Sequence, residues 1–234
     1  MTVDDFSFAL HGFSGKARLL PLPNAVLFPH VMQPLRIFEP RYRDLLAAAM
    51  DDDRLIAMVL LQPGWEPNYE GRPPIHSVGC LGQITAHHQL DDGSSNVLVS
   101  GIKRICVVRE FPAECRYREA EVEVLEDYCP SVEEEVGLAI LGRLRNAFTA
   151  VLPRIAESRE QIEQWIQSDL SLAVLTDVIS YMLDIPVLHK LALLGETNVH
   201  RRAELLLEYL AITAADMSPG AAGVASFPPG FSAN

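Results

Sequence analysis

The sequence is poor in the residues on which enzymes and nucleic-acid binders usually depend. It has three lysines in 234 residues (Lys16, Lys103 and Lys190), two tryptophans and only 7% aromatics. No G-x-x-x-x-G-K-[ST] phosphate loop is present; the nearest run, Gly12-Phe-Ser-Gly-Lys16, is too short and precedes no helix. None of the three lysines stands in anything resembling a Ser-Lys protease site. Ser100-Gly101 is not a G-x-S-x-G elbow, and no helix follows it. Cys80, Cys106, Cys115 and Cys129 form neither a C-x-x-C pair nor a zinc spacing, so they read as small buried or half-buried side chains in a reducing compartment. No run of about 18 apolar residues occurs, and no cation precedes Lys16 to form a signal-peptide n-region, so the expected location is cytoplasmic, away from membranes. No catalytic residue, metal or cofactor is expected.

Acid outweighs base by 31 to 19, a net charge of −12 shared equally between residues 1–128 and 129–234. That field repels phosphate backbones and argues against DNA; it also argues against RNA, for which Lys103-Arg104 is the only small basic patch. The apolar share, 49%, is ample for a core.

Residues 18–127 read as mostly strand, at 18–22, 25–28, 35–38, 55–62, 78–89, 97–108 and 116–125. Period-two alternation is plain over 119–125, with Ala120, Val122 and Val124 on one face and Glu119, Glu121 and Glu123 on the other. Asp91-Asp92-Gly93 predicts a hairpin turn, and Gly101 a bulge or close backbone approach. One short helix is expected over 40–50, opened by Pro40, with Tyr42, Leu45, Leu46 and Ala49 inward. From Ser131 the period becomes 3.6. A capping box, Ser131 with Glu134, opens a helix whose face is Val136, Ile140, Leu144, Ala147, Phe148 and Val151. Further helices are predicted over 158–167, 170–183 and 186–195, and after Thr197 or Asn198. The organisation expected is an extension (1–17), a β-rich subdomain (18–128), a helical bundle (129–212) and a flexible tail (213–234).

Leu19-Leu-Pro-Leu-Pro-Asn-Ala-Val-Leu-Phe-Pro29, followed by Pro34-Leu-Arg-Ile-Phe-Glu-Pro-Arg-Tyr42, resembles the N-terminal substrate-binding domain of Lon proteases. Val78-Gly-Cys-Leu-Gly-Gln-Ile84, Val97-Leu-Val-Ser-Gly-Ile-Lys-Arg-Ile105 and the stretch 172–210, with Asp177, Lys190 and Arg202, agree in order. One departure is Lys190-Leu191, where the family has Lys-Gln. The insert from Pro63 is similar to that of free-standing members that lack the rest of the protease. The resemblance implies an α+β fold, a PUA-like β-barrel with one short helix followed by a helical bundle. It also implies a non-catalytic module that binds unfolded polypeptide or a protein partner, with a PUA-like RNA binder as the alternative.

Two places are candidates for contact. Arg36, Phe38, Glu39 and Arg41, with Arg43, surround a helix start, where a carboxylate could be held; the competing reading is a purely structural strand exit. Trp65 and Tyr69, in a Pro/Gly-rich loop, are either a lid or partly exposed anchors, and partial exposure is expected. Among other clusters, His87-His88 would point to opposite faces of a strand, and Asp51-Asp-Asp53 and Glu133-Glu-Glu135 read as solvated acids.

Overall fold

The computed structural model describes residues 13–130, 134–152 and 168–216. These divide into two compact units, one ending at Glu126 and the other beginning at Asp127.

Six strands make the first unit: β1 (Lys16–Leu22), β2 (Met32–Ile37), β3 (Leu55–Leu61), β4 (Ile75–Gln89), β5 (Ser95–Glu110) and β6 (Arg118–Leu125), with helix α1 (Pro40–Met50) between β2 and β3. The sheet is mixed. Its order is β2-β5-β4-β3-β1-β6, β1 and β3 run parallel, and every other pair is antiparallel. β6 also pairs with β5, so the hydrogen bonding of β1, β3, β4, β5 and β6 closes into a ring, leaving β2 outside it with β5 as its one strand neighbour among the described residues.

Period-two patterning explains the interior of that ring. Leu19, Ala57, Leu81, Ile105, Ala120 and Val122 come from five strands and form one buried cluster, with Val124 packed against it. Asp92 and Gly93 make the β4–β5 turn: Gly93 has φ +77°, and the Asp92 carboxylate accepts from the Ser94 backbone N–H at 2.8 Å. The register slips between Leu81 and Gly82, so the extra residue at Ile102 forms the bulge beside Gly101.

Residues 25–28 are the main departure from expectation. They are not a strand, although Val26, Leu27 and Phe28 are all buried. Pro23 and Pro29 bracket them and offer no N–H to a ladder, so the segment packs on β5 by its side chains, while the His30 N–H donates to Gly101 at 3.0 Å.

The second unit contains α2 (Glu134–Val151), α3 (Leu172–Met182), α4 (Val187–Gly195) and α5 (Val199–Asp216). α5 packs against the other three, burying Ala203, Leu206 and Leu210 with Leu144, Phe148, Leu175 and Ile179. Asn198 caps α5 by accepting from the Arg201 N–H at 3.1 Å, and Ser171 caps α3. Three details differ from the sequence reading. α5 continues to Asp216, so 213–216 are helix rather than tail; Val136 is exposed; and Cys129 is exposed, while the other three cysteines are buried or half-buried, all four being free. Ser131, the predicted helix 158–167 and the rest of the tail lie outside the described residues.

Candidate functional site

The first unit's possible contact surface gathers where β2 leads into α1. Pro40 begins α1 because its missing N–H is one that a helix's first turn leaves unbonded anyway. Glu39 at the N-cap makes no side-chain cap, and its carboxylate turns to Arg41 instead. Arg41 Nε donates to Glu39 Oε2 at 3.0 Å, and Nη1 donates to the Tyr69 carbonyl at 2.7 Å. Its guanidinium lies 4.7 Å from the Tyr42 ring centre and 4.5 Å from that of Tyr69. The Tyr69 hydroxyl donates to Glu39 Oε1 at 2.5 Å, and Trp65 meets Tyr69 edge-on with ring centres 5.1 Å apart.

Glu39, Arg41, Tyr69 and Trp65 therefore form one clasp, closing the loop 63–75 onto α1. Glu39 supplies from within the chain the carboxylate that the sequence reading assigns to a ligand at this helix start. Burial works against the Arg41 charge, but the fields of Tyr42 and Glu39 and the bonds to Glu39 and Tyr69 outweigh it and hold its pKa above the ordinary value. Burial, then the bond to Glu39, pushes the Tyr69 hydroxyl up as well. Trp65 and Tyr69 are half-buried, folded back toward the protein.

Arg36 and Phe38 are placed differently. Arg36 is exposed and paired with Asp92 of the β4–β5 turn at 2.8 Å. Met32 on β2 and Phe38 just after it, at 47% and 43% exposure, project apolar surface, and a shallow dip beside Phe38 is lined by Leu35, Ile37 and Tyr42. The acidic run is not merely solvated: Asp52 and Asp53 both pair with Arg18, at 2.5 and 2.8 Å.

A larger cavity of about 150 Å³ opens behind the clasp, among α1, residues 70–72 and the segment 113–118. No sequence signal singled it out; the Arg116-Tyr-Arg118 spacing, which places two cations two residues apart, is the one that could have.

Other candidates disperse. Lys103 pairs with Glu126 at 2.6 Å and Arg104 is buried, so the small basic patch is not presented as one. His87 Nε2 lies 3.0 Å from Ser95 Oγ. No group of three metal-ligating side chains gathers among the described residues. No helix there is long and apolar enough to cross a membrane.

Tyr42 anchors the clasp from below and titrates. Its buried hydroxyl donates to the Pro21 carbonyl at 2.9 Å, and burial pushes its pKa well above the ordinary tyrosine value. Above pH about 10 the unfolded chain loses this proton while the folded chain keeps it, so the stabilisation is complete below that pH and lost as pH rises further. Tyr42→Phe should lower stability at pH 7 by about 1 kcal/mol, through the orphaned carbonyl, and flatten the decline above pH 10. Denaturant midpoints measured from pH 8 to 11 check both.

The comparisons with known proteins bear on this geometry. The family model described as the ATP-dependent protease La (LON) substrate-binding domain matches residues 16–211. This chain belongs to that family. Lon protease 2 of Myxococcus xanthus is 28% identical over 193 residues, which are 82% of this chain and 23% of that protein. Lon protease 2 of Desulfotalea psychrophila is 30% identical over 193 residues, 82% of this chain and 24% of that protein. The chain thus spans about a quarter of the length of the curated relatives it matches. The N-terminal domain of a Mycobacterium avium complex Lon protease superposes with a TM-score of 0.68 at 15% identity, covering 84% of this chain and 98% of that one. The Lon N-terminal domain protein of Xanthomonas campestris gives 0.57 at 20% identity, covering 83% and 98%. The fold is that of Lon N-terminal domains, α+β with a mixed sheet, and the matched region is a substrate-recognition domain.

Proposed function

We propose that this chain is a non-catalytic recognition module of the cytoplasm, which engages exposed or unfolded polypeptide segments or a protein partner. The family match to a substrate-binding domain across residues 16–211 carries this reading. The cyclic strand pairing supports a PUA-like barrel for residues 18–128, with 129–212 as its helical bundle.

The geometry offers two elements to a flexible chain. β2 ends the strand order, and Pro34 within it is tolerated because an edge strand can spare an N–H. Phe38 and Met32 supply apolar contact next to that edge, and the Trp65–Tyr69 pair flanks it through Glu39. Shallow, largely backbone-mediated contact of this kind is weak and loosely selective. Reduced, carboxymethylated model proteins should therefore bind with dissociation constants of roughly micromolar to millimolar order. Phe38→Ala and Trp65→Ala should each weaken binding about threefold or more. Fluorescence anisotropy reads this; no binding to any unfolded chain would remove the proposal. ATPase and peptidase assays on the same sample are expected to be blank.

A further inference from the structure

We propose that the cavity behind the clasp is a carboxylate pocket, which takes the terminal or side-chain carboxylate of a bound polypeptide between Arg72 and Arg116. This rests on the recognition reading above and names the chemical group that reading leaves open.

Four arginines, Arg41, Arg72, Arg116 and Arg118, line this one cavity in a chain of net charge −12. Two are already paired within the fold, although the buried Nη2 of Arg41 makes no hydrogen bond. Arg118 donates through Nε and Nη2 to the two oxygens of Glu110, at 2.8 and 2.5 Å, and through Nη1 to the Pro73 carbonyl at 2.7 Å. Arg41 is held by Glu39 and the Tyr69 carbonyl. Both are deeply placed and internally neutralised, so they form a rigid floor.

The other two stand at the rim with donors to spare. Arg72 Nη1 donates to the Phe111 carbonyl at 3.1 Å, while its Nη2 is 3.8 Å from Glu110. Arg116 is 74% exposed, and its Nη1 is 3.8 Å from Asp44. Both 3.8 Å separations exceed hydrogen-bond reach. Glu70 is the one acid in the lining; Glu110 and Asp44, outside it, are the 3.8 Å ion partners of the two rim arginines and leave N–H donors of both open to a carboxylate. Pro21, Ala113 and the rings of Tyr42 and Tyr117 give apolar wall for a short stem. Burial raises the Cys115 thiol and the Tyr117 hydroxyl, so both remain neutral lining.

Size narrows the ligand further. About 150 Å³ holds a group of about six non-hydrogen atoms, such as a terminal residue or an acidic side chain. It does not enclose a nucleotide or a drug-sized cofactor, whose sites start at about 300 Å³.

The test uses three labelled decapeptides of one sequence without other acidic residues: free acid, C-terminal amide, and amide with one internal Glu. Each is titrated into the full chain by anisotropy. The free acid, the internal-Glu amide or both should bind about tenfold tighter than the plain amide, and whichever does so identifies the source of the carboxylate. Arg72→Gln and Arg116→Gln should each reduce that preference to less than about twofold, leaving amide binding and the thermal midpoint unchanged. Equal binding of all three peptides, or a preference that survives the double variant, overturns the pocket while leaving the recognition reading in place. Failure of every peptide also overturns it, and the unfolded-protein titration then decides separately whether the broader reading stands.

Discussion

Replacing Arg202 by alanine is expected to destabilise the helical unit by about 3–5 kcal/mol, a large share of the roughly 5–15 kcal/mol that holds a typical domain together. Arg202 on α5 is completely buried. Its Nη1 and Nη2 donate to the two oxygens of Asp127 at 3.0 and 2.6 Å, Nη1 also to the Glu196 carbonyl at 2.8 Å, and Nε to Thr176 Oγ1 at 3.2 Å. Asp177, itself fully buried on α3, lies 3.6 Å from Nε. One guanidinium thus ties the start of the unit to α3, to the α4–α5 turn and to α5. Burial opposes its charge, but the Asp127 bonds and the Asp177 field outweigh that and keep its pKa above the ordinary value. Alanine would leave Asp177 in a low-dielectric interior without the cation opposite it, and that penalty accounts for the size of the effect. Lysine keeps the charge but not the fork, so Arg202→Lys should fall between alanine and the native residue. Adding Asp177→Asn to the alanine variant should recover part of the loss. Denaturant unfolding followed by circular dichroism measures all of these, and an Arg202→Ala midpoint within about 1 kcal/mol of native would show that the network is dispensable.

What could be foreseen from sequence follows the range of the interaction. α1 was legible because Pro40 and the Tyr42, Leu45, Leu46, Ala49 stripe are local signals. β6 was legible because Ala120, Val122 and Val124 alternate with glutamates. The Asp92–Gly93 turn needs only its own chemistry. Residues 25–28 were misread because a short apolar run reports burial, not backbone pairing, and the flanking prolines decide between the two. The site was legible in composition but not in arrangement. Glu39 and Arg41 are two residues apart and pair, yet the clasp closes only through Tyr69, 28 residues on from Arg41. Arg202 and Asp127 are 75 residues apart, and the family resemblance marked Arg202 and Asp177 without showing that they meet. The arginine-lined cavity depends on three separated segments, so no window of sequence contains it.

Gly101→Ala should be as damaging as the loss of Arg202, for a steric reason. A Cβ built on Gly101 would stand 2.0 Å from the Phe28 carbonyl oxygen and 2.8 Å from its carbon, closer than real Cβ atoms come to anything. Neither side can yield cheaply. The Gly101 N–H donates to Val31 at 2.8 Å and its carbonyl accepts from His30, so the segment 28–31 is bonded to the very residue that would push it away. On the other flank Gly101 pairs with Gly82 of β4, where a Cβ would itself strike Val99 and Leu27. Relief requires breaking the two backbone bonds and lifting Phe28 and Leu27, both essentially inaccessible to solvent, out of the core. That combination should cost more than about 3 kcal/mol. Gly142 on α2 is the natural control, since nothing lies within 4 Å of its would-be Cβ. Gly142→Ala should be neutral or stabilise by up to about 1 kcal/mol, because alanine is the better helix former. Thermal and denaturant unfolding of the two variants side by side separates a general intolerance of substitution from this particular clash; a native-like midpoint for Gly101→Ala would mean that the segment 25–31 does not sit on β5 in solution.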